Sequence, residues 1–198
     1  MIICIFGDSI TWGAWDLEKG GWVNRLWLYF GAGESEVDVY NLGISGDATS
    51  DLLKRFDCEA QARKPDVIIF DIGSNDSSGE NSEENHRLPP EQFKKNLDEL
   101  INLAKKFTDK IIFLGSTMAD ESKTLPVSWN NAVFYSNKNL KIYGEMIKEV
   151  AGKNSCHFLD LFDLLGIEDL DDGLHPNAQG HEKIFIAVKN FLLDNKLL

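Results

Sequence analysis

The segment Asp66-Val67-Ile68-Ile69-Phe70-Asp71-Ile72 is almost unbroken in apolar character, largely β-branched, and closed by Gly73. A strand with one wet face alternates apolar and polar residues. A strand that does not alternate has both faces covered, as in the middle of a parallel sheet. Whatever this chain folds into must therefore carry helices on both sides of a sheet.

Four other strand candidates accompany it. Ile2–Phe6 is short, apolar and stopped by Gly7; Val37, Val39 and Leu42 mark another; Lys110–Gly115 a fourth; and Cys156–Leu161 a fifth. Between them the apolar residues recur at helical spacing. Trp22, Val23, Leu26, Trp27 and Phe30 predict a helix over 20–31, ended by Gly31 and Gly33. Leu52, Leu53 and Phe56 predict a short helix capped by Asp47 or Thr49. Pro89-Pro90 opens a helix with the stripe Phe93, Leu97, Leu100, Ile101, Ala104 and Phe107. Leu140, Tyr143, Ile147 and Val150 mark a further helix, and Ile184, Phe185, Val188, Phe191 and Leu192 the last. The polar stretch 77–88 reads as a surface loop, and 116–130 has no clear periodicity.

Strand and helix alternate five times, which requires parallel strands joined by right-handed crossovers. The expectation is an α/β fold: a single three-layer α/β/α domain over residues 1–198 with a five-stranded parallel sheet. The flavodoxin-like strand order 2-1-3-4-5 places the loops after strands 2, 1 and 3 beside one switch point. Those loops contain Gly46, Ser9 and Asn75.

A length of 198 residues suits one core, burying about 70% of the unfolded surface. The net charge of −12 argues against nucleic-acid and anionic-membrane partners, which want a basic patch. Three scattered cysteines show neither zinc-ligand spacing nor a disulfide framework. With no signal-peptide pattern at the amino terminus and no apolar run of ~18 residues, the expectation is a cytoplasmic protein without integral membrane association.

The chemistry is read from strand ends. Ser9, in Gly7-Asp8-Ser9-Ile10, follows the first strand, where a hydroxyl can act as a nucleophile if a base reaches it; the alternative is a turn cap. Among four histidines, His157 lies in a strand, His86 in a polar loop and His181 on a helix. His175 stands apart, in the glycine- and proline-punctuated Asp171-Asp172-Gly173-Leu174-His175-Pro176. A carboxylate three residues before a histidine can reach its Nδ1–H and leave Nε2 free as a base, which selects Asp172 over Asp171. Asn75 offers a side-chain amide, and Gly46 and Ser9 offer backbone N–H groups, as oxyanion donors. Trp12 and Trp15 either wall a pocket or pack beneath the first helix. Trp129, with Ser128, Phe134 and Tyr135, could form an acyl or leaving-group site, although core packing is the stronger expectation.

These residues resemble the blocks of the GDSL/SGNH hydrolases. Gly7-Asp8-Ser9-Ile10 is similar to the first block, with isoleucine for the leucine of the name. Asn41-Leu42-Gly43-Ile44-Ser45-Gly46-Asp47 resembles the second, its functional glycine aligning with Gly46. Gly73-Ser74-Asn75-Asp76 resembles the third and Asp172-Gly173-Leu174-His175-Pro176 the fifth, all in family order across residues 7–176. The resemblance implies an SGNH hydrolase fold and a serine acyl-ester hydrolase of esterase or lysophospholipase type, with no metal and no cofactor. Ser9 is then nucleophile, His175 base and Asp172 its partner, with Ser9, Gly46 and Asn75 as the oxyanion hole and a small-molecule ester as substrate. A carbohydrate O-acetylesterase is the alternative within the family. Outside it stand a non-catalytic flavodoxin-like binding module and a metal hydrolase built on Asp172, His175 and His181.

Overall fold

The computed structural model describes residues 1–32 and 36–198; the Gly33 expected to end a helix lies outside the described residues. Five parallel strands form the main sheet: β1 (Ile2–Gly7), β2 (Asp38–Gly43), β3 (Val67–Asp71), β5 (Ile111–Leu114) and β7 (His157–Leu159). Their order is β2-β1-β3-β5-β7. A separate antiparallel pair joins β4 (Gly79–Glu80) to β6 (Val133–Phe134). With that pair set aside, the order is the expected 2-1-3-4-5. The last strand is shorter than the apolar run suggested.

The two faces of the sheet divide its apolar strands by parity. Cys4, Phe6, Ile68, Phe70, Ile111 and Phe113 face one core, under α3 (Thr49–Arg63), α5 (Pro90–Ala104) and α7 (Asn137–Lys153). Ile3, Ile5, Val67, Ile69, Ile112 and Leu114 face the other, under α2 (Trp22–Gly31) and α8 (Ala178–Asp194). Successive strand side chains point to opposite faces, so a strand buried twice shows no alternation. Phe6, Phe70 and Phe113 are register partners, with ring centroids 5.9 and 4.9 Å apart. Each such ring, fully buried, contributes about 2–3 kcal/mol of transfer free energy.

Several local expectations are corrected. Helix α3 runs for 15 residues and is not short. Neither Asp47 nor Thr49 caps it: Asp47 binds the Arg55 guanidinium at 2.8 Å, and the Thr49 N–H instead donates to the Asp76 carboxylate at 3.0 Å. The cap is thus supplied from beyond β3, 27 residues away. Stretch 77–88 is not all surface, because Ser77, Ser78 and Gly79 are buried. Ser77 and Ser78 donate back to the carbonyls of Ser74 and Asn75, which satisfies them there. The connection after β5 contains α6 (Glu121–Thr124) as well as β6.

Among the described residues no helix is long and apolar enough to cross a membrane.

Candidate active site

The nucleophile candidate begins a four-residue helix, α1 (Ser9–Trp12), at the carboxyl end of β1. Asp8 is its cap, accepting from the Ile10 N–H at 3.0 Å, and Gly13 ends it with φ 100°. The Thr11 hydroxyl donates to Asp71 at 2.8 Å and moors α1 to the end of β3. Gly43 ends β2 hard against this turn: a Cβ there would lie 2.4 Å from the Trp12 nitrogen. Only glycine lets the two strand ends approach so closely.

His175 reaches this helix from 166 residues away. Its Nε2 lies 2.9 Å from the Ser9 hydroxyl, and its Nδ1 lies 2.7 Å from Oδ2 of Asp172. The other oxygen of Asp172 accepts from the Leu174 and His175 N–H groups at 3.0 and 2.9 Å. Burial alone would raise the Asp172 carboxyl, but the His175 ring and these N–H groups outweigh it and hold the acid well below its ordinary value. The carboxylate therefore stays ionised beside the imidazole through the neutral range. Asp171 is exposed, and its N–H donates to the His175 carbonyl.

Ser9, Gly46 and Asn75 line one cleft of about 400 Å³, together with Trp12, Trp15, Trp129, Tyr135, Asp172 and His175. Among the described residues the Ser9 and Gly46 N–H groups have no protein acceptor. Gly46 holds φ 83°, a backbone that side chains rarely adopt, with open space where a Cβ would be. Asn75 differs. Its Nδ2 donates to Oδ2 of Asp8 at 3.1 Å and to the Asp47 carbonyl at 3.0 Å, so both amide hydrogens are already engaged. Its Oδ1 accepts from the Tyr135 hydroxyl at 2.7 Å.

Asp8, the cap of α1, thus also grips Asn75. Burial raises its carboxyl well above the usual range, with the Asp71 carboxylate adding and the Ile10 N–H opposing. Trp12, Trp15 and Trp129 stand half-exposed around the cleft, and Tyr135 is buried at its wall. Trp129 therefore faces the cleft rather than packing in the core, whereas Tyr135 does both, lining the cleft and packing with Ala119, Val127, Leu140 and Leu174. Phe134 lies in the small sheet. The sequence carried no signal for the Trp15 indole, which donates to Oδ2 of Asp172 at 2.7 Å.

The remaining histidines are elsewhere. His86 is half-buried, its ring edge-on to Tyr143 at 5.3 Å, and His157 meets Phe191. His181 is fully buried, with Nε2 on the Ala14 carbonyl at 3.0 Å and Nδ1 accepting from the Trp22 N–H at 3.3 Å. Burial pushes it down to about 4, so it is neutral. With both nitrogens bound to backbone, His181 has no lone pair to give to a metal shared with Asp172 and His175.

The GDSL-like Lipase/Acylhydrolase model matches residues 5–183. The chain belongs to that family. As a GDSL-like acylhydrolase it is a carboxylic ester hydrolase. It is similar to an arylesterase of Vibrio mimicus, 24% identical over 187 residues that cover 93% of this chain and 86% of the relative. Among solved structures, a lipase/acylhydrolase from Enterococcus faecalis superposes with a TM-score of 0.78 at 26% identity, over 96% of this chain and 94% of that one. An acetylxylan esterase from Geobacillus stearothermophilus shares the fold with a TM-score of 0.73 at 23% identity, over 96% of this chain and 92% of that one.

Proposed function

We propose that this GDSL-like acylhydrolase cleaves small carboxylic esters by two-step acyl transfer through Ser9, His175 and Asp172. The unbroken chain from the Ser9 hydroxyl through both ring nitrogens of His175 to Asp172 carries the reading. Ser9 attacks the ester carbonyl while His175 takes its proton, and Asp172 stabilises the imidazolium that results. The Ser9 and Gly46 N–H groups meet the developing oxyanion, and the Asn75 amide joins them as its bond to the Asp47 carbonyl yields. His175 then protonates the leaving alcohol and activates the water that releases the acid.

A second reading concerns the alcohol half. The exposed indoles of Trp12, Trp15 and Trp129 offer flat apolar faces at the cleft mouth, which suit a sugar ring as well as an alkyl chain. O-acetylated carbohydrate is thus the alternative substrate class to simple alkyl, aryl or lysophospholipid esters. A panel of esters varied in acyl length and in leaving group separates the two.

A fluorophosphonate probe tests the mechanism. It should label Ser9 alone, and Ser9→Ala should lose both labelling and turnover of p-nitrophenyl acetate while keeping the wild-type Tm. Turnover retained in that variant would sink the assignment.

A further inference from the structure

We propose that Trp15 is a positioning residue for the acid of the triad, setting through Asp172 how strongly His175 holds its proton. The proposal rests on the reading of Ser9, His175 and Asp172 as a triad and adds a fourth member to it. Its indole N–H and the His175 Nδ1 converge on one oxygen, Oδ2 of Asp172, each at 2.7 Å. A second donor on that oxygen draws charge away from the contact with His175 and locks the carboxylate rotamer.

The backbone at Trp15 is built for this contact. Its φ is 65°, in the left-handed region where a bulky non-glycine residue is an outlier. Strain of this kind persists only where the surroundings over-determine it, and here both flanks are clamped. Before it, the Ala14 N–H donates to the Ser9 carbonyl at 3.0 Å, and the Ala14 carbonyl meets the buried His181 at 3.0 Å. After it, the buried Asp16 accepts from the Glu18, Lys19 and Gly21 N–H groups and pairs with the buried Arg25. Held between these anchors, the indole stands edge-on to the His175 ring, centroids 6.1 Å apart, while Trp129 lies on the same ring at 5.8 Å. Trp15 is 52% exposed. A substrate filling the cleft covers its bond to Asp172 and strengthens it by excluding water.

Other titratable groups face the Asp172–His175 pair. Ser9 lies on the ring's Nε2 and Tyr135 across the cleft, with Asp8 beyond Asn75. His181 lies beneath Ala14, and Asp171, Asp120 and Lys123 surround Gly173. None is altered by exchanging Trp15 for phenylalanine, so a change in His175 titration reports the lost N–H.

The experiment follows the ring signals of His175 by NMR through a pH titration of wild type, Trp15→Phe and Trp12→Phe. Trp12 is the control, an indole at the same mouth with no bond to the triad. In Trp15→Phe the His175 titration should move up by about 0.5–1 pH unit, because Asp172 then serves the imidazole alone. The acid limb of kcat/KM for p-nitrophenyl acetate should move with it, and Trp12→Phe should move neither. Trp15→Gly, whose backbone favours the left-handed conformation, should give the same upward shift and serves if the phenylalanine variant does not fold. A His175 titration unchanged in the Trp15 variants, or displaced equally in Trp12→Phe, overturns the proposal. An upward shift in a protein that cleaves no ester supports the coupling and overturns only the ester reading.

Discussion

The Tyr135 hydroxyl donates to Oδ1 of Asn75 at 2.7 Å, a buried bond between residues 60 apart in the chain. It fixes the amide through its oxygen, while the Nδ2 hydrogens stay on Asp8 and the Asp47 carbonyl. Tyr135→Phe leaves Oδ1 buried without a donor, which costs about 1–3 kcal/mol of stability. We expect kcat for p-nitrophenyl acetate to fall roughly tenfold with KM nearly unchanged, since the donor is misoriented and not removed. A wild-type kcat would mean that Asn75 needs no such support.

Asp8 serves two donors with two acceptor oxygens, the Ile10 N–H and the Asn75 amide. Asp8→Asn has one acceptor, so either α1 loses its cap or Asn75 faces a second NH2 group. The expected outcome is a fall in kcat approaching that of Asn75→Ala, itself about 10²–10³. Asp8→Asn that matches wild type in steady-state kinetics would reduce Asp8 to a turn residue.

Arg25 and Asp16 form a pair whose side chains are 3% and 0% exposed. Arg25 also reaches Glu182 and the Ala178 carbonyl at the start of α8. Removing one partner of a buried pair strands the other, so Arg25→Ala should lose about 3–5 kcal/mol in urea unfolding. A loss below 1 kcal/mol would show that the three backbone N–H groups on Asp16 suffice.

Asp76 gives a pH signature. Burial raises its carboxyl to about 6, against the opposing hydrogen bonds from Thr49. A carboxyl raised on folding contributes stability that is complete below its unfolded value near 4 and is lost as pH rises through 6. Between pH 4 and pH 7 the wild type should therefore forfeit about 2–3 kcal/mol that Asp76→Asn does not. Parallel Tm-against-pH curves for the two proteins would contradict this.

The sheet was legible because its signal is local. Five apolar runs alternate with 3.6-residue stripes, and burial on both faces follows directly from strand parity. The Asp172–His175 contact was legible for the same reason, being closed within four residues. What escaped reading is held by distant partners. The cap on α3 arrives from Asp76, and the bond of Tyr135 to Asn75 spans 60 residues. Trp15 meets Asp172, 157 residues away, from a backbone of positive φ at a residue that is not glycine. Propensity argues against such a backbone, so no window of sequence could have announced it.

The pairing of β4 with β6 ties the stretch after the Asn75 turn to the connection that carries Trp129 and Tyr135. The Asn81 N–H donates to the Ala132 carbonyl alongside it. The wall that carries Trp129 and Tyr135 is thereby braced from behind by a second segment that does not itself line the cleft. Exchanging either segment alone with that of a relative would leave edge hydrogen bonds unmatched, whereas moving both together would carry the wall intact. A graft meant to alter substrate preference through Trp129 and Tyr135 should therefore carry both segments.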